Sequence, residues 1–453
     1  MEDTIQTKEI EIEELVDLIN DKKFNKLHKY LENIKSADFP SIFEELTEEQ
    51  EIIIYRLLSK RKAAKVFVEL DSDEQEKLIS YLTDSEIKNV MNEMYMDDAV
   101  DLIEEMPANV VKKILANTKP DDRKIINELL KYPDATAGSL MTTEVIDLKE
   151  TMTVGKAFET IRKKGVQRET VYNCYILSKK RELLGVIDIK DLLISERDVL
   201  LKDIMDTNVI SVNTQEDQEE VVKIFDKYDL IAVPVVDNEN KLVGIITIDD
   251  AIDAMNEETL EDFEKMAAIT PNEDTYLKTG VFTHAKNRIV WLFLLMFSAT
   301  ISGKIMNHFN NVIAALPVLV AFVPMLMDTG GNSGSQAATL IIRGLAMDEI
   351  STKDIFKAMW KEARIAMLVG AFLALLNGTR IAIQYNSIPI GIVVGLSIMG
   401  IVFVAKEMGC ILPIIAKKIN LDPAVMAAPL ITTIVDSFSI TIFFTLAIAI
   451  LGI

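Results

Sequence analysis

The chain has 453 residues, with 48 Lys and Arg against 70 Asp and Glu and a formal net charge of −22, yet its mean hydropathy is +0.21. A uniformly acidic soluble protein would not be that apolar, so charge and apolarity must occupy different places, and the excess of negative charge repels nucleic acid and invites cations. Split at Lys278, residues 1–278 hold 36 basic and 62 acidic side chains, whereas 279–453 hold 12 and 8 in a near-continuous apolar background. That is the pattern of an acidic soluble assembly followed by a membrane domain. Cys174 and Cys410 lie in opposite halves, so no disulfide framework is expected. The N-terminal MEDTIQTKEI is acidic and has no apolar signal core, which points to a cytoplasmic front half.

Residues 1–132 show helical periodicity in short units separated by polar starts: Leu46-Thr-Glu-Glu, Leu70-Asp-Ser-Asp-Glu, Leu82-Thr-Asp-Ser-Glu and Met106-Pro107. Each start reads as a helix N-cap. The spacing varies too much for a strict repeat, so a compact α-helical superhelix is expected. Asp97, Asp98 and Asp101 fall in one of these units.

Residues 140–256 contain an internal duplication. Met141-Thr-Thr-Glu-Val-Ile-Asp-Leu recurs 64 residues later as Met205-Asp-Thr-Asn-Val-Ile-Ser-Val. Each copy continues into a helical stretch and strands, and the two end alike, as Leu184-Gly185-Val-Ile-Asp-Ile-Lys-Asp191 and Val243-Gly244-Ile-Ile-Thr-Ile-Asp-Asp250. This α/β duplication resembles a tandem pair of CBS modules, here 133–200 and 201–252. CBS pairs commonly sense adenine nucleotides or ions, and in nucleotide-binding copies a Thr and an Asp three residues apart hold the ribose. Thr247 and Asp250 fit that pattern and make ATP an allowed ligand, whereas the first copy has Asp188 in place of the Thr.

Residues 250–272 read as an acidic helix in which positions 250, 253, 257, 261 and 264 share a face and Lys265 is the only base. Like charges at that spacing destabilise a helix. Either this is a solvated linker or divalent cations screen it; Mg²⁺ needs only one or two carboxylates because it keeps several waters.

Five stretches reach the about 20 apolar residues that span a bilayer as a helix: 289–309, 312–342, 359–383, 388–416 and 424–452. The second and fourth are long and contain Gly or Pro, so breaks or tilts are expected there. Lys278, Lys286 and Arg288 precede the first stretch. Arg343, Lys353, Lys357, Lys361 and Arg364 fill the connection after the second, and Lys417 and Lys418 follow the fourth, while the alternate loops hold only Lys304 and Arg380. Positive charge marks the cytoplasmic side, so the front half lies inside and the C-terminus outside. The last stretch carries Asp436, with Thr432, Thr433 and Ser439 on the same helical face. A mid-span carboxylate flanked by hydroxyls suits a cation pathway; a helix-packing stripe with a neutral Asp is the alternative. Asp328, nearer the glycine-rich break in the second stretch, is a weaker second candidate. Lys406-Glu407 in the fourth stretch reads as an interface or snorkelling pair. Thr329-Gly-Gly-Asn-Ser-Gly-Ser-Gln336 in the second places small polar residues at bilayer depth, for a water-filled cavity or for close helix approach.

Helical domain, CBS pair, acidic connecting helix and five spans in this order resemble the MgtE family of magnesium channels. The resemblance rests on Tyr132-Pro-Asp-Ala-Thr-Ala-Gly-Ser-Leu-Met141, Thr329–Gln336 and Pro429-Leu-Ile-Thr-Thr-Ile-Val-Asp436, and it covers nearly the whole chain. It implies a multidomain cell-membrane protein: helical N-domain 1–132, CBS modules, plug helix 253–277 and a five-span pore domain 278–453. It also implies a homodimer in membrane lipid whose pore is lined by the second and fifth spans. Asp436 matches the pore carboxylate that holds hydrated Mg²⁺. Gly331, Ser335, Thr339, Ala428 and Thr432 fall at the cytoplasmic-side constriction. Ser335 and Ala428 stand where Asn is expected, so the constriction is less amide-rich. Regulatory Mg²⁺ ligands fall on Asp97, Asp101, Asp217, Glu219, Asp229 and Asp250, and on the plug at Asp253, Glu258, Glu261 and Asp262. The expected activity is Mg²⁺ uptake, closed by cytoplasmic Mg²⁺. A secondary Mg²⁺ or Co²⁺ carrier is the nearer rival. A CBS-regulated membrane metalloprotease would need His-Glu-x-x-His, and His28, His284 and His308 lie in no such motif.

Overall fold

The computed structural model describes residues 12–165, 168–272, 276–277, 279–426 and 428–452, and the side chains of these except at 298 and 428. They divide into two compact units, Met1–Met255 and Asn256–Ile453.

The first unit opens with short helices: α1 (Ile12–Asn20), α2 (Phe24–Asn33), α3 (Phe39–Glu44), α4 (Glu48–Leu57), α5 (Lys60–Val68), α6 (Ser72–Tyr81), α7 (Asp84–Glu93), α8 (Met96–Glu105), α9 (Ala108–Asn117) and α10 (Pro120–Leu129). Their starts are set by local chemistry. Thr47 with Gln50 and Thr83 with Glu86 close capping boxes, and the Asp71 side chain accepts the Glu74 N–H. Each cap satisfies N–H groups that a helix's first turn leaves open. Inward-facing residues such as Phe39, Ile54, Phe67, Leu78 and Ile114 are fully buried.

The duplicated segment forms two matching sheets. In the first, β1 (Asp147–Lys149) runs parallel to β2 (Asn173–Leu177), which pairs antiparallel with β3 (Leu183–Asp188); α11 (Val154–Lys164) and α12 (Ile189–Ile194) complete the copy. In the second, β4 (Val212–Asn213), β5 (Ala232–Val236) and β6 (Leu242–Thr247) repeat that order with α13 (Gln218–Tyr228) and α14 (Ile248–Met266). The register irregularity recurs too, at Ile176/Leu177 and at Val235/Val236.

The matched motifs are exchanged between copies. Gly185 on β3 lies under Met205, the start of the second copy, and a Cβ there would come 2.8 Å from its sulfur. Gly244 on β6 lies under Met141, the start of the first copy, and under the Thr142 carbonyl. A side chain at either glycine would collide with the other copy. The helical core is also continuous with the second copy: one buried cluster runs from Leu15 through Leu129 to Val221, Val233, Ile246 and Ala251. That continuity fixes α8 against the first turn of α14.

In the second unit, α15 (Val281–His308), α16 (Asn310–Ala315), a 3₁₀ stretch Pro317–Phe322, α17 (Val323–Ala346), α18 (Ile355–Gln384), α19 (Ile388–Lys418) and α20 (Ala428–Leu451) follow the end of α14. Four helical stretches among the described residues are long and apolar enough to cross a membrane: Val281–His308, Thr352–Gln384, Ile388–Lys418 and Pro423–Leu451. The fifth expected stretch, 312–342, is carried by three pieces. It breaks at Pro317, which has no N–H to donate, and its long helix α17 is enriched in Gly, Ser, Thr and Asn. The stretch 388–416 is one helix, α19. It runs unbroken through Pro413, which is buried against its neighbours. Packed neighbours let a membrane helix tolerate such a missing bond. Phe322, Phe443 and Phe444 centre the apolar core, and Phe309 stacks on Phe444 at 5.2 Å.

The exchanged glycines supply a stability test. Gly244→Val should destabilise the first unit by about 2 kcal/mol through overpacking against Met141 and the Thr142 carbonyl. Faster deuterium uptake at β5 and β6 of the full chain is the readout, and wild-type protection would refute the interlock.

Candidate metal and permeation sites

The apolar side of α8 buries Ala99, Val100, Leu102 and Ile103. At helical spacing this turns Asp97, Asp98 and Asp101 the other way. Asp249 and Asp250 on the first turn of α14, Glu144 ahead of β1 and Glu169 ahead of β2 lie near enough for their charges to act on this group. Asp98 donates its N–H to Asp97 Oδ1 at 3.0 Å, and the Thr247 hydroxyl donates to Asp250 Oδ2 at 2.6 Å. The Glu169 N–H binds the Glu144 carbonyl at 3.1 Å.

Five of these carboxyls, Asp97, Asp98, Asp101, Glu169 and Asp250, hold their protons above the ordinary carboxylate range. Burial raises Asp97 strongly, and the charges of Asp98, Asp250 and Glu169 add to it. Burial and then Asp250 bring Asp98 to about 7; the packed surroundings and then Asp98 raise Asp101 in the same direction, although its side chain still reaches solvent. Glu169 reaches about 8, through burial and then Asp98, Asp250, Asp249 and Glu144. Asp250 reaches about 6, because burial outweighs the Thr247 hydrogen bond. Glu169 Oε2 is buried without a hydrogen-bond partner. Among the described residues no three His, Cys, Asp or Glu side chains close into a ready-made ligand cage. A hydrated divalent cation needs direct contact with only one or two carboxylates, which neighbours in this group can supply.

The other expected ligands are placed elsewhere. Asp217 caps α13 and accepts the Glu219 N–H at 2.9 Å, and Glu219 pairs with Lys223 at 2.9 Å. Asp229 sits at the far end of α13 in a left-handed conformation, φ 51°. Twelve residues of helix separate it from Asp217 by about 18 Å, so in one chain they do not share an ion. Asp253 lies one turn beyond Asp250 and is raised by burial and by Asp249. Glu258, Glu261 and Asp262 follow on α14 in the second unit, where Glu261 is taken by Lys265 at 2.7 Å. Thr247 is buried. Its Asp250 partner belongs to the carboxylate crowd, so one carboxylate would serve a ribose and a cation in competition.

In the membrane unit, α17 and α20 meet through glycines. Gly331 faces Thr432, whose methyl would be 2.8 Å from an added Cβ, and Gly334 faces Ile431. The Ser335 hydroxyl donates back to the Gly331 carbonyl at 2.8 Å, and the Thr432 and Thr433 hydroxyls donate to the Pro429 carbonyl, both at 2.9 Å. Ser439 is buried against Gly330. The polar face of α20 is thus divided: Thr432 and Ser439 turn toward α17, while Asp436 is half-buried. Among the described residues Asp436 has no hydrogen-bond or ion-pair partner. Asp328, Asn332, Gln336 and Thr339 are exposed on the other side of α17. Close approach and a polar seam coexist on one helix. Ala428 opens α20, and its side chain lies outside the described residues.

Lys406 does not pair with its neighbour Glu407. It reaches across to Glu362 on α18 at 3.8 Å, with both side chains buried, while both Glu407 carboxylate oxygens lie buried without a hydrogen bond. Adjacent helix positions diverge, so the partner had to come from another helix. Glu144, Glu169 and Asp249 are the carboxylates that sequence reasoning missed. One signal was available: Glu144 stands where the second copy has Asn208.

Comparison with known proteins follows the same division. A model of the MgtE divalent cation transporter family matches residues 323–446, one of the MgtE intracellular N domain matches 34–135, and one of the CBS domain matches 137–198 and 201–257. The chain is 31% identical over 435 residues to the magnesium transporter MgtE of Bacillus subtilis, covering 96% of each. It is 32% identical over 426 residues to that of Thermus thermophilus, covering 93% of this chain and 94% of the relative. Among solved structures, the soluble part of a magnesium transporter aligns with a TM-score of 0.52 at 30% identity, over 55% of this chain and 97% of that one. The cytosolic domain of the Mg²⁺ channel MgtE in complex with ATP aligns with a TM-score of 0.51 at 31% identity, over 53% and 99%.

The raised carboxyls set a pH dependence. Their folded-state values lie above the unfolded ones, so they favour the fold when protonated, and that contribution is lost as pH rises through about 6 to about 8. Without divalent cations, amides of α8 in the full chain should exchange faster at about pH 8 than at about pH 6, after correction for intrinsic rates. Millimolar Mg²⁺ should restore protection chiefly at the higher pH. Equal protection at both pH values would mean that the carboxylates are solvated.

Proposed function

The chain belongs to the MgtE family of divalent cation transporters, and on that footing we propose that it conducts Mg²⁺ into the cell as a homodimeric channel closed by cytoplasmic Mg²⁺. The observation that carries the regulatory reading is the crowd of carboxylates from α8, α14 and the first CBS copy, which have no ion-pair partner among the described residues. Two unit charges about 6 Å apart repel by roughly 3 kcal/mol at an effective dielectric of about 20, and less where exposed. Mg²⁺ entering that crowd reverses the sign. Asp97, Asp101 and Asp250 would take it in the crowd, and Asp217, Glu219 and Asp229 would hold further ions around α13. On α14, Asp253, Glu258, Glu261 and Asp262 would follow. A ligand shifts such an equilibrium only by its differential affinity for the two states; several weak sites acting together give a steep response.

The permeation reading rests on the polar seam. Asp328, Asn332, Gln336 and Thr339 cannot face hydrocarbon cheaply, and a second copy with a water-filled path between would cover them. Asp436, doubled by two-fold symmetry, offers charge −2 to an ion that keeps its waters. Gly331, Ser335, Thr339, Ala428 and Thr432 would form the constriction. By the positive-charge rule the front half and the basic loops would lie inside and the C-terminal end of α20 outside. Thr247 and Asp250 would admit ATP as a second input, in keeping with the ATP complex of the cytosolic-domain neighbour.

Asp436→Asn should abolish most Mg²⁺ flux into liposomes while dimer assembly persists; full flux would sink the assignment. An Asp97→Ala, Asp250→Ala double variant should conduct but resist shut-off when Mg²⁺ is placed on the cytoplasmic side. Normal shut-off in that variant would remove the crowd from the gate.

A further inference from the structure

Lys265 is the only base among the acidic residues of 250–264 and its flank. Its Nζ stands 2.7 Å from Glu261 Oε1, one turn back on α14, and 2.7 Å from Asp422 Oδ2, in the connection between α19 and α20. The other Asp422 oxygen, Oδ1, accepts the Ala424 N–H at 2.8 Å. That bond shapes the 3₁₀ turn Pro423–Met426, which leads into the helix bearing Thr432 and Asp436. The next residue on α14, Met266, packs against Ala338, Ile342, Ala405, Ile431 and Val435, which belong to α17, α19 and α20. Beyond it the chain turns at Ala268, φ 54°, and the Thr270 N–H binds the Asn287 carbonyl of α15 at 3.0 Å. Polar and apolar contacts therefore tie the end of α14 to the helices of the permeation site, all within one compact unit.

We infer that Lys265 is a positioning residue for the gate: a tethered cation that docks the end of α14 on the Asp422 turn without any Mg²⁺, and so sets the Mg²⁺ level at which the pore closes. Without the ammonium, Glu261 and Asp422 would present like charges to one another, and a dissolved cation would have to replace it. With it, part of the charge on Glu261 and Asp422 is already met, and Mg²⁺ has less to neutralise at this contact. The three side chains are 23%, 38% and 32% exposed, so the contact is partly screened. A pair of this kind changes an equilibrium by about fivefold. The inference rests on the Mg²⁺-gated reading above.

The test uses the full chain with Lys265→Met, Lys265→Arg and Asp422→Asn, the last of which keeps the oxygen that accepts the Ala424 N–H. Two quantities are read: deuterium uptake of residues 262–270 with Mg²⁺ chelated, and the cytoplasmic Mg²⁺ concentration that halves liposome flux. Lys265→Met and Asp422→Asn should each raise that concentration by about fivefold and speed the exchange, while Lys265→Arg stays near wild type in both. Retention by Lys265→Arg against loss in Lys265→Met separates an ion pair from loss of packing. Unchanged exchange and half-closing concentration in Lys265→Met and Asp422→Asn, or a Lys265→Arg variant no better than Lys265→Met, would overturn the latch. Flux in the wild-type chain that ignores cytoplasmic Mg²⁺ would instead overturn the gating reading, and the exchange measurement would still decide the contact.

Discussion

Carboxylates gathered by an apolar core, with no ion-pair partner among the described residues, are the constraint from which the first unit follows. The core that buries Ala99, Val100, Leu102 and Ile103 of α8 is the same cluster that buries Val221, Val233 and Ile246 of the second CBS copy. Burying one such aliphatic side chain contributes about 1.5–3 kcal/mol, and this cluster holds dozens. Repulsion among half a dozen partly solvated carboxylates is smaller than that sum. The apolar term therefore decides the architecture, and the electrostatic term is left over as a local stress at the α8–α14 junction. A junction held by packing and opposed by charge responds to counter-ions without unfolding the rest.

The membrane unit applies a similar division to one helix. On α17, glycines at 330, 331 and 334 remove side-chain volume so that Val435, Thr432 and Ile431 of α20 can seat close to its backbone. Its amide- and carboxylate-bearing residues turn away from that contact. Small and polar residues, which look like a single motif in sequence, divide by face into packing and solvation. The ion pair of Lys406 with Glu362 lies apart from this seam, between α18 and α19.

Features that repeat or act locally were legible from sequence alone. The caps at Thr47, Asp71 and Thr83 depend on neighbours within three residues, and the duplication at Met141 and Met205 announces itself by identity. The aspartates of α8 were legible as a group because helical spacing puts them on one side. Glu144 and Glu169 were not, because their approach to Asp98 and Asp250 depends on how the first CBS copy packs within the unit. Nor was the partner of Lys406, which lies 44 positions away on another helix. Of the breaks or tilts expected in 388–416, Pro413 brings no break: in water a proline interrupts a helix, but inside a packed helical bundle the neighbours carry the interruption.

The exchange of Met141 onto Gly244 and of Met205 onto Gly185 bears on how the chain is made. Met141 leaves the ribosome about a hundred residues before the glycine that receives it. The first copy can pair its strands early, yet it must wait with part of its apolar surface uncovered until the second copy has been translated. Long loop closure of this kind is slow and concentrates aggregation risk in the nascent chain. The wait ends when Gly244 emerges, only a few dozen residues before the first hydrophobic span. Completion of the first unit and delivery of the nascent chain to the insertion machinery are therefore nearly simultaneous events in its synthesis.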